Sequence, residues 1–225
     1  VSLNNWSFEL KDTKFTVTKT WINTGRTDNL GNAVNINPTN VTMTLQESSD
    51  NGKTWQKSTQ TATGMTLINP VTYDTSSALS YTWKGLDPAK TYQVKETSIR
   101  GYDTTYSLVS GTTVNGYTQT VTNTYHPTNL TLKKIWNMNG STTAHPTSVT
   151  LSVYGLSKPN RSYTPGTDSP LYTKTLTVTG STSTTWTDQT EIIKNVDSTL
   201  YYYVFETAVD GMQFDDFKKL YLSSQ

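Results

Sequence analysis

The sequence predicts an all-β protein that contains two copies of one antiparallel β-sandwich domain. Thr, Tyr and Val are abundant, and they occur in short runs in which polar and apolar residues alternate, as in strands that bury one face. Gly, Asn, Asp and Pro separate these runs at intervals of about eight to twelve residues, which is typical of sandwiches. A helical period is hard to find, and 225 residues suffice for two hydrophobic cores.

Three strands of the first copy carry a polar residue at a position that should face the core. Alternation predicts these strands at 15–21, 92–96 and 117–125. Because alternate residues of a strand share one face, Lys19 lies in the same row as Phe15 and Val17. Glu96 and Asn123 lie in the apolar rows of the other two strands. Taken singly, each has an ordinary explanation. Lys19 could reach solvent at the edge of a sheet, Glu96 could be a carboxylate at the rim of the core, and Asn123 could be a turn residue.

The remaining elements follow from short apolar runs and turn residues. Strands are predicted at 41–45 and from 55 in the first copy, and at 149–153 and 171–178 in the second. The residues Asp-Asn-Gly-Lys at 50–53 predict a turn, and a polar loop is expected over 156–170. The segment 48–55 also fits the Asp-box of sialidases and other β-propellers. It occurs once in a chain too short for repeated blades, so we interpret it as a hairpin turn without chemistry.

The repeat itself rests on two matched motifs. The Lys-x-Trp motif at Lys19 recurs at Lys134, and the Tyr-x-Val-x-Glu motif that ends at Glu96 recurs at Glu206. The separation between lysine and glutamate is similar in the two copies, 96 − 19 = 77 and 206 − 134 = 72. These motifs place domain 1 at 15–125 and domain 2 at 126–225, after a segment, 1–14, that is a linker or the tail of a preceding repeat.

A lysine, a glutamate and an asparagine together in a dry core could react. Burial lowers the pKa of Lys19 and raises the pKa of Glu96, so both side chains tend toward neutrality. A neutral amine is a nucleophile, and a protonated carboxyl can donate a hydrogen bond to the carboxamide oxygen of Asn123. Acyl transfer from the asparagine to the lysine would give an amide cross-link and ammonia.

The ordered motifs K-x-W, Y-x-V-x-E and V-T-N-T resemble the B-type repeats (CnaB domains) of Gram-positive collagen adhesins and pilins. The resemblance covers nearly all of 15–125 and most of 126–225. It implies an immunoglobulin-like sandwich of reversed topology that is closed by an autocatalytic isopeptide bond. In this sequence Lys19 would be the nucleophile, Asn123 the electrophile and Glu96 the acid and base.

Domain 2 departs from that pattern because it lacks a matching asparagine. The spacing of 123 − 96 = 27 residues, counted from Glu206, falls at 233, beyond Gln225. Asp215 and Asp216 follow Glu206 too closely to lie on a last strand. We therefore expect domain 2 to lack that strand and to form no internal bond unless a strand from outside this chain completes it. In the same way, Asn5 could belong to the last strand of a preceding repeat, and the chain reads as a fragment of a longer protein.

Composition argues against several other classes of function. There are 18 Lys and Arg against 17 Asp and Glu, and only three arginines, so no strong positive field is present for nucleic acid. Cysteine is absent and both histidines precede proline, so we expect no disulfide, no metal site and no cofactor. No apolar run approaches the ~20 residues of a membrane span, and neither a signal peptide nor a sorting signal is visible.

The resemblance implies stalk or shaft domains of a cell-wall-anchored adhesin or pilin on the surface of a Gram-positive bacterium. Neighbouring domains of the same surface protein would be the partners, with any host glycan or matrix protein bound through a tip domain. The chain would not be an enzyme, since its chemistry runs once. The alternative is a module that itself binds host glycan or matrix protein through exposed Trp and Tyr. A glycosidase would need a second carboxylate facing Glu96 or Glu206, and the sequence offers none.

Overall fold

The computed structural model describes residues 11–136, 146–159, 169–180, 186–210 and 212–220, the last of these as backbone only. These residues form fifteen strands and no helix, which confirms the all-β prediction. Contacts divide the chain into two units. Unit 1 holds the residues up to Thr24 together with Asn35–Tyr125, and unit 2 holds Gly25–Val34 together with the residues from His126 onward.

Unit 1 contains nine strands. They are β1 (Thr13–Ile22), β2 (Asn40–Ser48), β3 (Gln56–Lys57), β4 (Val71–Asp74), β5 (Ser80–Leu86), β6 (Thr91–Glu96), β7 (Tyr102–Tyr106), β8 (Ser110–Thr112) and β9 (Gly116–Tyr125). The three strands predicted to carry polar residues inward are β1, β6 and β9. The observed strands extend the predicted ranges by at most two residues. The largest difference is in β1, which begins at Thr13.

Two sheets make up unit 1. The first has the order β5-β1-β9-β7, with β8 also paired to β9, and the second has the order β3-β2-β4, with β6 also paired to β2. The first and last strands of the unit, β1 and β9, are parallel neighbours. Their register pairs Lys19 with Val121 and Trp21 with Asn123. Residues 102 apart in sequence are thereby paired, which brings Lys19 and Asn123 close to each other.

The core of unit 1 lies between the two sheets, as period-two alternation requires. Phe15 and Val17 of β1 and Val121 of β9 come from the first sheet and are fully buried. They pack against the inward-facing residues of β2 and the apolar residues of β6, which come from the second sheet. The complete set of buried core residues is Phe15, Val17, Val41, Met43, Leu45, Val71, Trp83, Leu86, Tyr92, Val94 and Val121.

The predicted turn at 50–53 connects β2 to β3. Asn51 and Gly52 have φ angles of 59° and 83°, which an asparagine and a glycine adopt with least strain. The Asp50 carboxylate accepts hydrogen bonds from the hydroxyls of Ser48 and Thr54, each at 2.6 Å. These bonds lower the pKa of Asp50 to about 2. In this structure the Asp-box segment closes a hairpin turn.

Unit 2 contains β10 (Thr128–Lys134), β11 (Ser148–Leu156), β12 (Tyr172–Thr177), β13 (Gln189–Val196), β14 (Tyr201–Val209) and β15 (Met212–Leu220). β10 pairs with β13, and the second sheet has the order β12-β11-β14-β15. Leu132 and Ile193 of the two-stranded sheet pack with Leu151 and Val204 of the other. Within the described part of the chain, β10 pairs with β13 alone, whereas β1 of unit 1 lies between two strands.

Candidate functional site

Lys19 is a buried lysine in the core of unit 1. Alternation along β1 puts its side chain in the inward row, where it is 1% exposed. Its Nζ atom lies 3.2 Å from Oε2 of Glu96 and 3.5 Å from the carbonyl oxygen of Val121. A lysine side chain is rarely buried to this degree without a paired carboxylate, and Glu96 is that partner.

Glu96 joins the first strand of the unit to the last. It ends β6, pairs with Met43 of β2, and its side chain is buried. One carboxyl oxygen contacts Lys19, and the other, Oε1, accepts a hydrogen bond of 3.1 Å from Nδ2 of Asn123. The carboxyl group therefore lies between the amine of β1 and the carboxamide of β9.

Asn123 is fully buried on β9, beside Trp21 in the parallel register. Its Nδ2 atom donates to Glu96, but its Oδ1 atom is buried without a hydrogen-bond partner among the described residues. A buried acceptor without a donor is destabilising. A half turn of the carboxamide would exchange the two atoms and bring Oδ1 toward Oε1 of Glu96, where a protonated carboxyl could donate to it.

Burial dominates the electrostatics of the cluster. Desolvation lowers the pKa of Lys19, although the nearby charge of Glu96 acts in the opposite direction. Desolvation likewise raises the pKa of Glu96 against the effect of Lys19. Both shifts favour the uncharged forms, which are the forms that nucleophilic attack and proton donation require. Burial together with the charge of Glu96 also raises the pKa of Tyr73, on β4, to about 12.

Two side chains of the first sheet, which sequence reasoning missed, hold the backbone of β6. The Glu96 N–H donates to Tyr106 Oη at 3.0 Å. Two residues earlier on β6, the Val94 N–H donates to Oε1 of Gln119 at 2.8 Å. These contacts occupy N–H groups on β6 that do not pair with β2, and they fix the strand that carries the carboxyl. The sequence holds no signal for them because they depend on tertiary packing.

Unit 2 brings together two of the equivalent residues. Lys134 Nζ lies 2.6 Å from Oε2 of Glu206, and each side chain is 16% exposed. No asparagine of the described residues donates a hydrogen bond to this carboxyl. Asp215 and Asp216 lie in β15, whose backbone pairs with β14 and not with β10. Asn5 lies outside the described residues.

The described residues contain no group of three or more His, Asp or Glu side chains placed to hold a metal ion. They also include no helix of the length and apolar character that crossing a membrane requires.

Comparisons with known proteins gave matches among solved structures alone. No protein-family model and no curated protein matches the chain. Two B repeat units of the collagen-binding protein of Staphylococcus aureus are 20% identical, over 88% of this chain and 45% of that one, with a TM-score of 0.30. The pilus backbone RrgB of Streptococcus pneumoniae is 12% identical, over 92% of this chain and 57% of that one, with a TM-score of 0.29. For the full-length RrgB structure the identity is 14%, the coverages are 92% and 42%, and the TM-score is 0.31. The chain thus spans between 42% and 57% of the length of these structures.

Proposed function

We propose that the chain forms structural domains in the stalk of a cell-wall-anchored bacterial adhesin or pilin, and that unit 1 is closed by an isopeptide bond between Lys19 and Asn123. The observation that supports this is the buried Lys19–Glu96–Asn123 cluster, which links the first strand of the unit to the last. The partners are neighbouring domains of the same surface protein. The site reacts once, so it is not an enzyme site.

The reaction is an acyl transfer that Glu96 promotes. The uncharged Nζ of Lys19 attacks Cγ of Asn123 while the protonated carboxyl of Glu96 donates to the amide oxygen, which stabilises the charge that develops there. A proton then passes from Nζ to Nδ2 by way of Glu96, the Cγ–Nδ2 bond breaks, and ammonia leaves. An amine and a primary amide become a secondary amide and ammonia, and the glutamic acid is regenerated.

The mechanical consequence follows from the parallel register of β1 and β9. A force that enters before Thr13 and leaves after Tyr125 acts at opposite ends of the two strands. With the bond in place, the force passes along β1 to Lys19, across the bond to Asn123, and out. The 20–122 segment carries none of it, so the sandwich can stay folded under tension.

The Lys134–Glu206 pair of unit 2 is an incomplete site of the same kind in this proposal. By the register of unit 1, the missing asparagine would lie on a strand parallel to β10, opposite Trp136. No described strand lies in that position, since β10 pairs with β13 alone among them. We therefore expect the Lys134 amine to remain without a cross-link.

Intact mass spectrometry tests the proposal. The wild-type chain should be lighter than its sequence by one ammonia, and Glu96→Ala should restore the full sequence mass. Glu47 offers a matched control, because it is a second buried glutamate of unit 1 with a lysine partner, Lys90 at 2.7 Å. Glu47→Gln should keep the deficit. A wild-type chain with its full sequence mass would refute the proposed bond, and a deficit of two would contradict the account of unit 2.

A further inference from the structure

The ring of Trp21 lies against the charged end of Lys19. Nζ is 4.3 Å from the ring centroid. Unit 2 repeats the arrangement, with Lys134 Nζ 4.3 Å from the centroid of the Trp136 ring. An ammonium group within about 6 Å of an aromatic face is attracted by the ring quadrupole, most strongly for tryptophan. The same contact in both repeats indicates a role beyond filling the core.

The indole N–H group is not what holds these rings in place. In Trp21 and in Trp136 it is buried without a hydrogen-bond partner among the described residues. A buried donor without an acceptor destabilises the fold, and a phenylalanine would avoid that cost. The tryptophan side chain therefore serves through its ring, whose face is directed at the lysine in both units.

Neighbouring aromatic side chains fix the ring. Trp21 packs edge to face against Tyr102, with centroids 5.2 Å apart. The Tyr102 hydroxyl in turn donates to Oδ1 of Asn23 at 2.7 Å. In unit 2, Trp136 packs edge to face against Trp186 at 4.7 Å. A ring held in this way limits where the lysine amine can lie.

We propose that Trp21 is a positioning residue for Lys19: the face of the Trp21 ring holds Nζ beside Glu96 and stabilises the ammonium form of the amine. The inference deepens the proposed function, in which Lys19 is the nucleophile. Glu96 on β6 is the titratable side chain in contact with the amine. Tyr73 on β4 is affected by the charge of Glu96, and Tyr102 on β7 packs against the Trp21 ring. Without the ring, the ammonium loses a stabilising contact, so Lys19 should release its proton at lower pH.

The test uses the full chain with Asn123→Ala, in which no bond can form. The titration of lysines labelled with ¹³C at Cε is followed by NMR, and the Lys19 signal is identified by its absence from the spectrum of Lys19→Arg. Adding Trp21→Leu should lower the titration midpoint of Lys19 by about one pH unit, and Trp21→Phe by less.

Trp83→Phe is the matched control for lost packing. Trp83 is a buried tryptophan of the same core, and its ring contacts Phe15 and Tyr81. This change should reduce stability and leave the Lys19 midpoint where it was. An unchanged midpoint in the Trp21 variants, or an equal shift in Trp83→Phe, would overturn the proposal. If Trp21→Leu does not fold, the shift of the Lys19 midpoint in Trp21→Phe tests the proposal alone. Because these chains cannot cross-link, a failure here is separate from a missing ammonia deficit in the wild-type chain.

Discussion

Replacing Glu96 by glutamine removes the proposed proton carrier of the site and leaves the shape of the site almost unchanged. A carboxamide at this position can still hydrogen-bond the Lys19 amine and the Asn123 side chain, so the packing between the sheets should persist. It cannot pass a proton from one nitrogen to the other. We expect Glu96→Gln to fold without the bond and to have its own full sequence mass, whereas the wild-type chain should lack one ammonia.

The size of the stability loss follows from the loop that the bond closes. A bond between Lys19 and Asn123 closes 123 − 19 = 104 residues. The chain-entropy relation used for disulfides gives about 4.7 kcal/mol at 25 °C for a loop of this length. Because the hydrogen bonds of Glu96 are largely kept in the glutamine variant, most of the loss in the free energy of unfolding should come from this entropy.

Hydrogen exchange in a urea series is the suitable assay, since peptides from β1 and β9 report on unit 1 alone. Glu47→Gln is the control, because it changes a buried glutamate without touching the bond. Two results would refute the reasoning. A glutamine variant that still lacks one ammonia would show that Glu96 is not the proton carrier. A variant that lacks the bond but is destabilised by less than about 1 kcal/mol would show that loop entropy is not its main contribution.

Two further predictions concern force and pH. Pulled from its ends in a single-molecule experiment, the wild-type chain should give no unfolding step for unit 1. Glu96→Gln should add one step of about 370 Å, which is 104 residues at roughly 3.6 Å each, to the step that unit 2 gives in both chains, and two such steps in the wild-type chain would contradict the bond. The pKa of Asp50 is held at about 2 by hydrogen bonds within its turn. Their contribution is complete above the unfolded pKa of about 3.9 and is lost as the pH falls through 2. Exchange protection of the β2–β3 turn should follow that window, and Asp50→Asn should abolish the dependence.

The strands with clear alternation could be predicted from the sequence. β1, β6 and β9 each bury a regular row, so their existence and bounds were predicted to within two residues. β4, β5, β7 and β8 were not predicted. β8 has three exposed residues, and β7 buries only Tyr102, so neither gives an apolar period. Their positions depend on pairing with β9, which local sequence does not encode.

The residues of the Lys19–Glu96–Asn123 cluster could be singled out because the second copy of the domain also carries a lysine and a glutamate at inward positions. One inward lysine has an ordinary explanation, but the recurrence of Lys19 and Glu96 at Lys134 and Glu206 does not. The contacts of Tyr106 and Gln119 with β6 had no such signal. Trp21 belongs to the Lys-x-Trp motif, but the motif by itself assigns no role to the ring. Only the distance between its ring and Nζ distinguishes an electrostatic role from packing.

Comparison of the two units indicates why the proposed bond should form only when the strand that carries the asparagine has docked. In unit 1 the strand that carries Asn123 also covers β1, and the side chains of Lys19 and Glu96 are fully buried. In unit 2 no described strand occupies that side of β10, and the Lys134 and Glu206 side chains remain 16% exposed. Water therefore still reaches this pair, and no asparagine of the described residues donates a hydrogen bond to it. In the proposed reaction, the strand that carries the asparagine would also exclude the water, so we expect a domain without that strand to keep its lysine unreactive until the strand has docked.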